Sequence, residues 1–166
     1  MDDLTRIEAG EMMVGLSSPE ARFAEIVNIA DDAIISVNEA QAITLFNRGA
    51  EQIFGYQASE VIGQRLDMLL PERFRAAHAG HISGFAGAPE TARVMAQRSE
   101  IFGRRKDGSQ FPAEASISKL RLHDGMLFTV ILRDVTERKA AQEALQRAHD
   151  ELEQRVKGTY RRTGGT

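Results

Sequence analysis

The sequence predicts an α+β domain: one antiparallel sheet of five strands with helices on one face, followed by an amphipathic helix. Three observations carry that prediction. A β-branched run, Ala33 to Val37, is followed across a short polar turn by a second apolar run, Ala42 to Phe46. The second half alternates with period two and carries Asp107-Gly108 and Asp124-Gly125, both hairpin signals. From Asp134 onward the period changes to that of a helix.

Residues 1–18 read as a polar N-terminal extension in which Met12, Met13, Val14 and Leu16 are available to pack on the domain or on a partner. A helix begins at Pro19, since Ser17 and Ser18 offer N-cap oxygens and proline fits a first turn. Phe23, Ile26, Val27 and Ala30 recur at helical spacing and form its expected core face. After the first hairpin come short helical pieces at Asn47 to Phe54 and Ser59 to Ile62, with Gly63 as a stop. Leu66 to Leu70 continues the core, and Pro71 opens a helix to about Phe85.

Ser99 to Arg105, Gln110 to Leu120 and Met126 to Arg133 then read as a three-stranded meander. Phe111, Ala113, Ala115 and Ile117 share an inward face, as do Met126, Phe128, Val130 and Leu132. The opposite face of the last strand carries Leu127 and Ile131 and is half apolar, so something else should cover it. Asp134 is placed to cap the next helix, with Glu137 completing a box-like pair and Arg133 or Arg138 as ion-pair partners. Ala141, Leu145, Ala148 and Leu152 follow the 4-3-4 spacing of a coiled-coil seam. The expected division is therefore 1–18 extension, 19–134 domain, 135–157 output helix and 158–166 disordered tail.

Composition narrows the chemistry. The 166 residues contain no cysteine, which excludes disulfides, zinc–cysteine and iron–sulfur sites, a thiol nucleophile and any cysteine-bonded chromophore. A net charge of −3 does not point to nucleic acid. The Arg104-Arg105-Lys106 run reads as a solvated hairpin tip. No stretch approaches the ~20 apolar residues that span a bilayer, and the N-terminus lacks a signal-peptide pattern. The expectation is a cytoplasmic chain without membrane contact. Neither a nucleophile elbow, a phosphate-binding glycine loop nor a zincin helix is present, so this fragment is expected to have no catalytic residues.

Three segments together resemble a PAS domain. They are Asn47-Arg48-Gly49-Ala50-Glu51-Gln52-Ile53-Phe54-Gly55-Tyr56 with Ser59-Glu60-Val61-Ile62-Gly63, Gly103-Arg104-Arg105-Lys106-Asp107-Gly108-Ser109-Gln110-Phe111-Pro112, and Arg133-Asp134-Val135-Thr136-Glu137-Arg138-Lys139. The resemblance covers roughly residues 20–140. It implies a sensory module of a bacterial signalling protein, commonly a histidine kinase or a cyclic-di-GMP enzyme, that dimerises and passes strain from its sheet into an output helix. The output domain would follow this helix and is not expected within the chain. Asp134, Thr136 and Arg138 become the expected relay residues, and the 141–152 seam the expected dimer contact.

Two ligand readings follow. The small side chains of Ala113 and Ala115, facing Ile101, Val130 and Leu132, leave either a pocket for a small molecule or a surface on which Leu69, Leu70 and Phe74 pack. The segment Arg75 to Ser83 is similar to that which supplies the axial histidine in haem-binding PAS oxygen sensors, and His78 falls on that position. Haem b is the cofactor this resemblance implies, with Arg98 near the arginine position only after a one-residue shift. The other account of His78 is a half-buried helix histidine. His78 and His81 alone do not make a zinc site. A flavin bonded to cysteine is excluded. Three functions remain open: a sensory module with or without a small ligand, a haem-based gas sensor, and a purely structural protein-interaction module.

Overall fold

A computed structural model describes residues 18–94 and 101–164. The elements are α1 (Pro19–Ile29), β1 (Ala33–Val37), β2 (Ile43–Phe46), α2 (Arg48–Phe54), α3 (Ala58–Val61), a 3-10 turn (Leu66–Leu69), α4 (Glu72–Gly87), β3 (Ala92–Val94), β4 (Ile101–Arg104), β5 (Gln110–Leu122), β6 (Gly125–Asp134) and α5 (Thr136–Thr163). The sheet has six strands in the order β2-β1-β6-β5-β3, all antiparallel, with β4 also on β5. The extra strand, β3, pairs Ala92–Val94 with residues 116–118 of β5. Its three residues are too short for alternation to show. The expected extension, Arg98 and the start of the 99–105 strand lie outside the described residues.

The inward face is as the alternation predicts. Ala33, Ile35, Val37, Phe46, Phe111, Ala113, Ala115, Ile117 and Phe128 are buried. Phe46, Phe54 and Phe111 form a chain of tilted and edge-on rings with centroids 6.1 and 5.4 Å apart. Each such ring contributes about 1.5–3 kcal/mol by leaving water.

Asn47 locks the helical layer onto β1. Its Oδ1 accepts the N–H groups of Ala50 (2.9 Å) and Ile34 (2.8 Å), and its Nδ2 donates to the carbonyls of Val27 (2.8 Å) and Asp32 (3.1 Å). One cap thereby satisfies four backbone groups on four segments. Gly49 makes the close approach work: a Cβ there would lie 2.4 Å from the carbonyl oxygen of Asp32. Gly55, at φ +80°, ends α2.

Three expectations need correction. The apolar face of α1 does not enter the core: only Val27 is buried, while Phe23 is 58% and Ile26 69% exposed. The helix docks by its last turn, through the Asn47 hook, and its remaining apolar side chains face outward. The second hairpin turns on His123-Asp124, with Gly125 (φ +141°) already paired to Leu122. Finally, the helix does not stop at Lys157 but runs to Thr163, where Arg161 and Arg162 complement its carbonyl end.

Candidate functional site

The junction of β6 with α5 is built around Asp134. This residue closes the β6 ladder opposite Ala113. Its Oδ1 accepts both the backbone N–H (2.9 Å) and the hydroxyl (2.5 Å) of Thr136, the first residue of α5. Its Oδ2 accepts from Arg105 Nη2 at 2.5 Å. Burial pushes the Asp134 carboxyl up, but the bonds from Thr136 and Arg105 outweigh it and hold the group below its ordinary value.

The sequence reading of Arg105 as part of a solvated hairpin tip needs correction: it joins α2, β5 and β6. Its Nη1 donates to the carbonyl of Ile53 at the end of α2, and its guanidinium carbon lies 4.1 Å from the Phe111 ring centroid. Beneath that ring sits Gly103, where a Cβ would come within 2.3 Å of Phe111. The expected partners of Asp134 are engaged elsewhere. Arg133 makes a bidentate pair with Asp32 (3.0 and 2.8 Å), and Arg138 bonds to Glu114 on β5. The Asp32 carboxylate raises the Arg133 pKa, and the bond from Arg138 lowers that of Glu114. Both side chains leave β6 or α5 on the outer side of the sheet, whereas the hairpin carrying Arg105 reaches Asp134 from the inner side. Val135, buried, is the N-cap residue in place of Asp134, and its N–H donates to the Pro112 carbonyl at 3.1 Å.

The five pocket candidates come together. Ile101 pairs with Ala113, Ala115 with Leu132, and Val130 lies one step along β6 opposite Ile117. Ala113 and Ala115 are buried; Ile101, Val130 and Leu132 are half-buried although β6 is an interior strand. The cover above this patch is α4, which buries only Ile82 and Phe85.

His78 belongs to that helix. It is half-buried, and its Nδ1 is enclosed with no hydrogen-bond partner among the described residues. Burial lowers its pKa, opposed by the Asp67 carboxylate and reinforced by His81. A neutral imidazole with an uncommitted nitrogen fits an axial ligand of haem iron. His81 is exposed, and no group of three metal-ligating side chains occurs among the described residues.

A separate cleft of about 530 Å³ opens between the end of α2 and Arg105–Asp107. Its cations are committed: Arg105 to Ile53 and Asp134, Lys106 to Glu60 at 2.5 Å. On α5 the seam residues Ala141, Leu145, Ala148 and Leu152 are all exposed. No described helix is long and apolar enough to cross a membrane.

A family model described as PAS domain matches residues 31–137. The chain is 32% identical over 137 residues to the sensor protein FixL of Bradyrhizobium diazoefficiens, covering 82% of this chain and 27% of that protein. It is 31% identical over 109 residues to the oxygen sensor protein DosP of Escherichia coli, covering 66% and 14%. With the cell-division control histidine kinase PdhS of Brucella ovis it shares 29% over 128 residues, covering 77% and 12%. The chain thus spans about a quarter or less of each of these relatives.

Proposed function

Because the chain belongs to the PAS-domain family, we propose that it is the sensory and dimerisation module of a signal-transducing histidine kinase or similar enzyme. In this reading a change on the inner face of the sheet is passed into α5 through Asp134. The observation that carries it is the triple membership of Asp134: it closes β6, accepts two bonds from the first residue of α5 and is tied by Arg105 to α2. Any shift of β6 against the helical layer alters the start of α5. A second copy covers the outward apolar residues, Ile131 and Leu120 on the sheet and Leu145 and Leu152 on α5, all of them exposed.

The test is a fusion in register, through α5, to a histidine-kinase output segment. Asp134→Ala and Arg105→Met should each change basal autophosphorylation by about threefold or more while sedimentation still reports a dimer. Unchanged phosphorylation in both would remove the relay. Native mass spectrometry of the same protein reports any retained small molecule.

A second reading, haem b with His78 as axial ligand, is favoured by the enclosed and unpartnered Nδ1. The likeness to an oxygen sensor points the same way. Bound haem would supply a reversible site for a diatomic gas. The chain contributes the imidazole of His78, kept neutral by burial, and the apolar patch of Ala113, Ala115, Val130 and Leu132. Haem reconstitution should give a Soret band that His78→Ala abolishes or shifts; no band in the wild type retires this reading and leaves the relay intact.

A further inference from the structure

Helix α4 covers the inner face of the sheet, yet little in its own sequence holds it. Pro71 at its start gives no side-chain cap, and its last turn carries no basic residue. Gly80 and Gly84 stand in its interior, and a Cβ at either would meet nothing within 4 Å. Packing does not demand these glycines, and each weakens a helix relative to alanine because more backbone freedom is lost. Ser83 adds a hydroxyl bond back to the Ala79 carbonyl (3.1 Å), a geometry that bends helices.

The restraint comes from the sheet. Lys119 continues the inward row of Phe111, Ala113, Ala115 and Ile117 on β5. Its ammonium donates to the carbonyls of Phe85 (2.6 Å), Ala86 (3.2 Å) and Ala88. They lie at the helix end, where carbonyls lack helical partners, although the Phe85 carbonyl also accepts the Ala88 N–H (3.2 Å). The same ammonium stands 4.9 Å from the Phe85 ring centroid, with Arg93 of β3 at 5.5 Å. The other end of α4 is held by Phe74 stacked on Phe102 (6.0 Å) and by Arg73 bonded to Gln110 (2.7 Å). His78 lies between the two fastenings.

We propose that the C-terminal half of α4, residues 79–88, is a marginal helix that Lys119 holds closed on the sheet, and that its opening admits the input to the inner face. The second clause rests on the sensory reading of the domain. The glycines set the readiness to open, and the lysine sets the restoring force.

Amide hydrogen exchange on the intact chain tests this. In the wild type, residues 79–88 should exchange on the order of 100-fold faster than the β5–β6 ladder. Gly80→Ala with Gly84→Ala should slow them by about 25-fold, roughly fivefold for each glycine, and leave the ladder unchanged. Lys119→Met should speed them about tenfold or more, with Lys119→Arg restoring most of the protection. Wild-type exchange as slow as the ladder, or no slowing in the alanine pair, overturns the marginal helix. The alanine pair decides the matter even if Lys119→Met fails to fold. In the kinase fusion the alanine pair and Lys119→Met should shift basal activity in opposite directions. If exchange behaves as stated and activity does not move, the marginal helix stands and the sensory reading falls.

Discussion

Arg105 and Asp134, 29 positions apart, meet at 2.5 Å with both side chains largely shielded from water. The pair ties the β4–β5 hairpin to the point where β6 becomes α5. Shielding makes it stronger than an exposed ion pair, and removing one partner strands the other's charge. Arg105→Met should cost about 1–3 kcal/mol in urea unfolding, with the loss of protection concentrated at the start of α5. A loss spread evenly over the domain would contradict the local role.

The same carboxyl sets an acid limit. Its folded pKa lies below the ordinary 3.8, so as pH falls from about 4 the unfolded chain takes up the proton first. The contribution of Asp134 is therefore complete above about pH 5 and lost as pH drops through the folded pKa. The urea midpoint should fall over that range, and Asp134→Asn should flatten the part of the fall that belongs to this group.

Asn47→Ala should be among the most damaging single changes outside the aromatic core. Four backbone groups lose their partner, three of them through bonds of 2.8–2.9 Å. A loss of about 3 kcal/mol or more is expected by thermal or urea unfolding. Gly49→Ala should be comparably severe, because the obstructing atoms are the carbonyl oxygens of residues 30–32.

Leu145→Asp tests the seam. Leu145 is 73% exposed within one chain, so monomer stability should barely change. Dimerisation, followed by sedimentation, should weaken about tenfold or more, since a charge would then be buried between two helices. An unchanged association constant would move the interface to the sheet face or to α1.

Much of the fold was legible because its signals are local. The alternation around Phe111 and Phe128 and the Asp107-Gly108 turn each declare themselves within a few residues. Strand β3 is not legible because three residues hold no period, and its pairing partner Ser118 lies 26 positions from Ala92. The site was only half legible. Asp134 and Thr136 are two positions apart, and an aspartate that accepts the N–H two residues on follows from its short side chain, although Val135 takes the N-cap position. The choice of Arg105 over Arg133 or Arg138 depends on which side of the sheet each arginine leaves from, and that is a property of the assembled layers. Lys119 was unreadable for a similar reason: an inward lysine looks like an error until the end of α4 supplies its carbonyls.

On the outer side of the sheet, Ser36 and Thr129 share a hydroxyl–hydroxyl bond of 2.8 Å across β1 and β6. Ser36 is buried, and one shared bond uses one of the two O–H donors, so the other hydroxyl hydrogen still needs an acceptor. Thr129 is the more exposed member of the pair, so the outer side of the sheet is not purely apolar there, and a surface laid on it must offer a polar group in return.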